Sequence, residues 1–175
     1  MTRYSGVVMG TVKSAPDELG RVQVQLPWLS ESMGDYPWAA VATPLTGGDR
    51  GMYFMPELGD EVAVAFEQGS FEHPIIVGFL WNGAQQPPET DPKNRVIVTP
   101  GGHTLRFEDG DNSKKIIIRS NGRHEIILDD TPAGQTVTLK TNGNQTIVLD
   151  DKGPSIRLQG GGRTLTLISG TVQIT

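Results

Sequence analysis

Residues 135–151 read QTVTLKTNGNQTIVLDD, and nearly the same seven residues occur in it twice. Each copy places two apolar side chains at alternate positions, Val137 and Leu139 in the first and Ile147 and Leu149 in the second. This alternation is typical of a β-strand that turns one face to a core. The Asn-Gly pair between the copies favours a reversal of the chain. The stretch therefore predicts two antiparallel strands of a repeating sheet.

The same alternation recurs through the C-terminal half of the chain, where successive apolar pairs lie 7 to 11 residues apart. Two Asn-Gly pairs, at 121–122 and 142–143, are expected to form two-residue turns with positive φ. Repeats of this kind indicate stacked units that cannot bury their apolar face alone. The pattern predicts an antiparallel meander of eight strands. Its predicted inward residues are Leu105, Phe107, Ile116, Ile118, Ile126, Leu128, Val137, Leu139, Ile147, Leu149, Ile156, Leu158, Leu165, Leu167, Val172 and Ile174.

The apolar face of such a meander needs a cover. Each inward side chain contributes ~1.5–3 kcal/mol when it is fully buried, and soluble monomers rarely expose so large an apolar patch. No 3.6-residue pattern of useful length indicates a helix that covers the face. Two arrangements are open, since the sheet either rolls on itself as a monomeric solenoid or closes with identical sheets around a symmetry axis. The short strands favour the second, in which three sheets enclose a triangular prism with a dry interior.

The N-terminal half predicts a different all-β unit. Five short stretches alternate apolar and polar residues, and five strands in about eighty residues suit a closed barrel of the OB type. The proline-rich stretch GAQQPPETDPKN follows and is typical of an extended, solvated linker. We therefore predict an OB-fold barrel domain at 1–84, a linker at 85–95 and a β-prism domain at 96–175. The barrel strands are expected within 4–14, 20–28, 36–44, 60–68 and 73–81.

Composition excludes several classes of function. The 175-residue chain has a net charge of −5, which argues against a general nucleic-acid binder because phosphate neutralisation needs clustered Lys and Arg. It contains no Cys, so it has neither disulfides nor thiolate metal sites. The start, MTRYSGVVMG, lacks the apolar stretch of a signal peptide. We expect assembly in the cytoplasm without a signal peptide.

Two stretches of the N-terminal half resemble a known family. They are GRVQVQLPW at 20–28, and the segment from Pro56 through Gly59-Asp60-Glu61-Val62 to Pro74-Ile-Ile-Val-Gly-Phe-Leu-Trp81. Both are similar to the OB-fold domain of the VgrG and phage baseplate assembly protein V family. Members of that family are the central spikes of contractile tails and of type VI secretion systems, and a trimeric β-prism follows their barrel.

The resemblance implies a homotrimeric, structural needle that pierces the target cell envelope. It also implies a baseplate hub or tube protein at the OB end, a PAAR-like tip protein at the C-terminal end and a transient contact with the target membrane. The chain is then expected in a virion tail or a secreted injection particle. Which machine this is stays open.

The sequence departs from larger family members in three ways. Only about three residues precede the first strand, so either the contacts made elsewhere by a hub domain come from another polypeptide or the sequence is part of a longer chain. The spacing leaves no room for a lysozyme-like insertion. The His-x-His motif with which some tips bind iron is missing. We expect no metal and no cofactor.

No catalytic constellation is evident among the polar residues. His103 is expected in a turn, and His124 in a solvated ion pair with Glu125. The acidic stretches at 108–111, 129–130 and 150–151 match no calcium-binding loop and are expected to serve as turns. The leading hypothesis is a spike that is not an enzyme. One alternative is an OB module that binds oligonucleotides or saccharides through its Trp residues and carries a β-solenoid tail; another is a polysaccharide hydrolase that uses the acidic turns.

Overall fold

A computed structural model describes residues 4–29 and 34–175 of the chain. These residues contain sixteen β-strands and one short 3₁₀ turn at Glu67–Gly69. Two compact units divide the chain, Met1–Gln86 and Pro87–Thr175. The predicted domain boundaries fall close to this division and remain a prediction, and their residues 1–3 and 30–33 lie outside the described residues.

The first unit contains seven strands. Five of them close into a barrel in the order β1-β2-β3-β7-β6, and every pairing is antiparallel except the parallel one between β3 and β7. The five barrel strands lie within the five stretches that the alternation predicted, so the predicted all-β, five-stranded OB barrel is confirmed. The strands are β1 (Val7–Val12), β2 (Arg21–Gln25), β3 (Trp38–Val41), β4 (Thr46–Gly47), β5 (Arg50–Gly51), β6 (Glu61–Phe66) and β7 (Pro74–Phe79).

The barrel core follows from the alternation in β2 and β6. Val22 and Val24 of β2 and Val62 and Val64 of β6 are completely buried, while the residues between them lie on the outer wall. Closure lets each strand bury its apolar side chains inside the same chain and removes the sheet edges. Val12, Leu26, Ala39, Phe66 and Ile76 complete this core.

The hairpin of β4 and β5 was not predicted. It inserts between β3 and β6, and Asp49 at its tip has a φ of 56°. Its two-residue strands carry Thr46, Gly47, Arg50 and Gly51 and therefore show no apolar alternation.

The second unit is one nine-stranded sheet, in which each strand pairs antiparallel with the next along the chain. The predicted meander is confirmed, but its length of eight strands was wrong. The additional strand, β8, begins at Asn94, inside the stretch predicted as linker. The nine strands are β8 (Asn94–Val98), β9 (Thr104–Gly110), β10 (Ser113–Arg119), β11 (Glu125–Asp129), β12 (Thr136–Lys140), β13 (Thr146–Asp150), β14 (Ser155–Gly160), β15 (Arg163–Ile168) and β16 (Thr171–Ile174).

The two Asn-Gly turns are longer than predicted. The residue after each pair carries the positive φ, 61° at Arg123 and 60° at Asn144. The N–H of Arg123 donates to the carbonyl of Ser120, and the N–H of Ser120 donates to the carbonyl of His124. These are three-residue loops closed by one left-handed residue, so the prediction of two-residue turns was wrong.

The same loop occurs a third time at Thr99–His103, where Gly102 supplies the positive φ of 78°. In all three loops a hydroxyl accepts the N–H of the residue four positions later. The oxygen–nitrogen distances are 3.1 Å for Thr99, 3.1 Å for Ser120 and 3.2 Å for Thr141. The three loops start 21 residues apart and lie on the same edge of the sheet, because a meander returns to that edge after every second strand.

We predict that Gly10→Ala destabilises the barrel. A Cβ at position 10 would collide with the side chain of Val24 and approach Val64, both of which are fully buried. Overpacking of this kind costs about 1–3 kcal/mol. Urea unfolding followed by tryptophan fluorescence reports on the barrel, since all three Trp lie in the first unit.

Gly78→Ala is the matched control, because it also lies in a barrel strand but a Cβ there has no heavy atom within 4 Å. We expect this change to stay within about 0.5 kcal/mol of the wild type. Equal destabilisation by the two variants would contradict the packing of β1 against β2.

Candidate functional site: the apolar face of the nine-stranded sheet

Two columns of side chains cover one face of the sheet. In an antiparallel pair, directly opposed residues point to the same face, so the strand registers connect residues into columns across the whole sheet. We call the face that carries these two columns the apolar face. Its first column is Ile97, Leu105, Ile118, Ile126, Leu139, Ile147, Leu158, Leu165 and Ile174, and its second column is Arg95, Phe107, Ile116, Leu128, Val137, Leu149, Ile156, Leu167 and Val172.

All sixteen residues predicted to point inward lie in these two columns. Each strand contributes one row of two residues to the columns. The sequence did not predict the row from β8, which consists of Arg95 and Ile97. Arg95 is charged and Val96, Ile97 and Val98 are all apolar, so β8 lacks the alternation that marks the other strands, and it follows a proline-rich stretch. That the sixteen residues pack in a trimer core remains a prediction.

The apolar face lies open in the single chain. Thirteen of the sixteen predicted residues on this face are exposed, with exposed fractions from 36% for Leu128 to 73% for Ile174. The residues of the barrel core are at most 9% exposed. The first column from Ile118 to Ile174 lines a groove of about 850 Å³, and the C-terminal part of the second column lines one of about 470 Å³. A continuous apolar surface of this size marks an interface.

The opposite face, which we call the outer face, is polar at both margins. Ion pairs join neighbouring strands there, between Arg119 and Glu125 at 2.6 Å and between Lys115 and Asp129 at 2.9 Å. The pKa of the Asp129 carboxyl is lowered, first by the hydroxyl of Thr131 and also by the Lys115 ammonium. The contrast between the two faces fixes which one needs an apolar partner.

The segment before β8 is bound to the outer face. The Glu89 carboxylate accepts the N–H groups of Thr90 and Asp91 at 2.8 and 2.9 Å and the side-chain amide of Asn94 at 3.0 Å. It also forms an ion pair with Arg106 at 2.7 Å. The backbone N–H of Asp91 is the largest of the causes that lower the pKa of Glu89 to about 2. These contacts fix residues 89–94 against the first strands of the sheet, and the linker at 85–95 remains a prediction.

Arg106 continues this network across the sheet. Its guanidinium also contacts Glu108 at 2.8 Å, and the second carboxylate oxygen of Glu108 accepts the hydroxyl proton of Ser113. The Ser113 hydroxyl, and after it Arg106, lower the pKa of Glu108. A chain of charges thus ties residue 89 to the first strands of the sheet.

The histidines and the acidic turns have structural partners. His103 closes the Thr99–His103 loop, as expected, and its Nδ1 accepts the backbone N–H of Asn121 at 3.3 Å. His124 also lies in a turn, but the predicted ion pair with Glu125 is wrong because Glu125 pairs with Arg119. Within residues 4–29 and 34–175, no group of three or more His, Asp or Glu side chains is placed to hold a metal ion.

The acidic turns use their carboxylates to order the backbone. Asp129 Oδ1 accepts both the N–H and the hydroxyl of Thr131, at 2.9 and 2.6 Å. Asp150 Oδ1 accepts the N–H groups of Lys152 and Gly153, at 3.0 and 3.1 Å. This is the turn role expected from the sequence. It gives no support to the hydrolase hypothesis.

Two of the three Trp rings are engaged by the barrel's own residues. Trp28 stacks on Tyr4 with 5.0 Å between ring centroids, and the Arg21 guanidinium lies 5.8 Å from the centroid of Trp38. Trp81 is 65% exposed. The contacts of Trp28 and Trp38 favour packing within the chain over an open platform for stacking bases.

No helix in residues 4–29 and 34–175 has the length and apolar character that crossing a membrane requires.

Two family matches cover most of the chain. Residues 4–81 match the family described as the type VI secretion system/phage-baseplate injector OB domain. This matched range contains all five barrel strands. Residues 115–175 match the phage baseplate V C-terminal trimerisation domain. The second match covers most of the apolar face, from Ile116 onward.

Curated relatives share about a third of the aligned residues. The chain is 35% identical over 86 residues to the type VI secretion system spike protein VgrG2a of Pseudomonas aeruginosa, an alignment that covers 47% of this chain and 10% of that protein. It is 31% identical over 116 residues to the spike protein VgrG4b of the same organism, covering 59% and 14%. It is 31% identical over 115 residues to the actin cross-linking toxin VgrG1 of Vibrio cholerae, covering 59% and 10%. The chain thus spans about a tenth of the length of these relatives.

We predict that Glu89 makes the stability of the sheet depend on acid pH. Because its pKa is lowered from 4.5 to about 2, the stabilisation is complete above pH 4.5 and is lost as the pH falls through about 2. Glu89→Gln removes this contribution. The difference in free energy of unfolding between the wild type and Glu89→Gln should therefore shrink between pH 5 and pH 2, as measured by urea unfolding at fixed protein concentration.

Arg106→Gln separates the causes of this effect. It removes the ion pair but leaves the backbone N–H groups of Thr90 and Asp91 in place, and these are the two largest causes of the lowered pKa. Most of the pH dependence due to Glu89 should persist in this variant. Complete loss of this pH dependence in Arg106→Gln would show that the Arg106 charge keeps Glu89 ionised.

Proposed function

The chain belongs to the type VI secretion and phage-baseplate injector spike family, and we propose that it is a structural central spike protein of a contractile injection machine. In this proposal three copies close their nine-stranded sheets around a common axis and form a needle that pierces the target cell envelope. The machine is a phage tail baseplate or a type VI secretion-like apparatus. The chain is assembled in the cytoplasm and becomes part of a virion tail or a secreted injection particle.

The observation that carries the proposal is the open apolar face. Fourteen large apolar side chains, Ile97 among them, are exposed there in two continuous columns, and the outer face, on the other side of the sheet, offers them no cover. Other copies of the same sheet provide a surface of matching length and chemistry. The trimerisation-domain match over residues 115–175 supports three copies as the number.

The proposed mechanism is stiffness along the axis. Strands spaced ~4.8 Å apart give nine strands a length of roughly 40 Å. Because each strand of the meander is hydrogen-bonded to its neighbours and also packs against two other copies, a displacement of one strand must disturb packing in all three chains. Such a closed interior cannot lose one copy without exposing the apolar face of the other two.

The remaining partners are part of the proposal through the family resemblance. They are a baseplate hub or tube protein at the OB end, a PAAR-like tip protein at the C-terminal end and a transient contact with the target membrane. The two matched domains are structural, and this supports a role without catalysis. The toxin activity in the name of one relative belongs to a protein of which this chain covers 10%.

We predict a particle of three chains. Light scattering coupled to size-exclusion chromatography should return about three times the chain mass of 18.9 kDa. A mass that stays at one chain from micromolar to tenfold higher concentration would rule out the needle, because a stable monomer must cover the apolar face by itself.

We predict that Ile147→Asp abolishes the trimer. Ile147 lies in the first column, so three carboxylates would enter the dry interior without partners, and each unpaired buried charge costs several kcal/mol. The readout is the mass at micromolar concentration.

Val148→Asp is the control, since it introduces the same charge one residue later in the same strand. Val148 lies on the outer face opposite Arg157, which can pair with the new carboxylate. This variant should remain trimeric. Loss of the trimer in both variants would contradict the assignment of the two faces.

A further inference from the structure

The two long edges of the nine-stranded sheet differ in charge. One edge consists of the strand ends and turns at 98–104, 119–125, 140–146 and 159–164, and we call it the basic edge. Its one acidic side chain is Glu125. Its four basic ones are Arg119, Arg123, Lys140 and Arg163, which gives a net charge of +3 with His103 and His124 neutral.

The opposite edge, which we call the acidic edge, contains the strand ends and turns at 108–115, 129–136, 150–155 and 168–171. It carries seven acidic and three basic side chains, so its net charge is −4. The meander itself separates the charges, because successive turns alternate between the two edges and the acidic residues occupy every second turn.

Part of this charge is neutralised inside the chain. Ion pairs engage Arg119 with Glu125 on the basic edge. On the acidic edge they engage Lys115 with Asp129, Arg106 with Glu108 and Lys93 with Asp111. Arg123, Lys140 and Arg163 are exposed, and among residues 4–29 and 34–175 no carboxylate lies within ion-pair distance of their charged groups. On the acidic edge Asp109, Asp130 and Asp151 are also exposed. Each edge therefore keeps charge for a partner.

We propose that the basic edge of one copy docks against the acidic edge of the next copy in the trimer, and that these contacts set the parallel orientation of the three chains. The inference rests on the proposed function, since it requires the trimer. The proposed threefold axis runs perpendicular to the strands, parallel to the two long edges of each sheet. Rotation about this axis brings the basic edge of each copy next to the acidic edge of the next copy, and three such heterologous contacts close a ring. A copy packed upside down on the apolar face would instead place like edges together, where like charges repel.

The positions of the charges along the axis agree with this docking. With the three copies in register, each turn of the basic edge lies between two turns of the acidic edge, about one strand spacing, ~4.8 Å, from each. Arg123 then lies between the acidic turns that contain Asp109 and Asp130, and Lys140 lies between those that contain Asp130 and Asp151. Long Lys and Arg side chains span that distance.

The test measures how fast trimers form from unfolded chains, by time-resolved light scattering at low salt and in 1 M NaCl. The main variant reverses the basic edge by Arg123→Glu, Lys140→Glu and Arg163→Glu. Complementary charges accelerate association by an order of magnitude or more, so we expect this variant to assemble about tenfold more slowly at low salt. In 1 M salt, where charges are screened beyond ~3 Å, the rates should agree within about twofold.

A compensating variant makes the test specific. Adding Asp109→Lys, Asp130→Lys and Asp151→Lys to the reversed basic edge restores opposite charges between edges, and should bring the low-salt rate back to within about threefold of the wild type. Two single substitutions form a matched pair that tests whether the position of the charge matters. Lys140→Glu alters the basic edge and should slow assembly, whereas Arg157→Glu makes the same change of charge at the centre of the outer face and should not.

If the reversed edge disturbs folding, as judged by far-ultraviolet circular dichroism, the neutral variant Arg123→Gln, Lys140→Gln and Arg163→Gln takes its place and should lose the salt dependence of the rate. The inference is overturned, with the spike proposal intact, if these variants form trimers at the wild-type rate at low salt. It is also overturned if Arg157→Glu slows assembly as much as Lys140→Glu. A monomeric wild type overturns both proposals.

Discussion

A single constraint governs this chain: the strands of the barrel and of the nine-stranded sheet carry apolar side chains on one face, and no α-helix in the described residues covers them. The barrel satisfies the constraint internally, because its five strands close on themselves and bury Val22, Val24, Val62 and Val64 completely. The nine-stranded sheet does not bury its apolar side chains within one chain. Its two apolar columns stay exposed, so the second unit of this structure is complete only as part of an assembly.

The meander explains why one sheet has two chemically distinct faces and two chemically distinct edges. Alternation along each strand separates the faces, and alternation of the turns along the chain separates the edges. The left-handed loops that begin at Thr99, Ser120 and Thr141 all lie on the basic edge, whereas the carboxylates of Asp129 and Asp150 cap turns on the acidic edge. The repeat of 21 residues is thus the repeat of two strands and both of their turns.

Sequence reasoning predicted the features that depend on period-two alternation, including the barrel strands and sixteen of the eighteen residues of the two columns. It failed where longer-range contacts decide. Asn94 and Arg95 follow a proline-rich stretch that reads as linker, and only pairing with β9 makes them a strand. The contact between Glu89 and Arg106 joins residues 17 positions apart, which no local pattern indicates. The Asn-Gly pairs marked the turns correctly, but the left-handed residue is the one that follows them.

Arg95 shows where the apolar face ends and why it ends there. It is the one charged residue in either column and stands opposite Phe107 in the first row of the sheet. Its guanidinium donates to the backbone carbonyls of Pro92 and Asn94, so the charge is directed back to the segment that precedes the sheet. A bare guanidinium in a dry interior is strongly unfavourable, and these carbonyls satisfy it at the boundary. In the proposed trimer the apolar interior therefore begins one row later, at Phe107, and continues through every strand that follows.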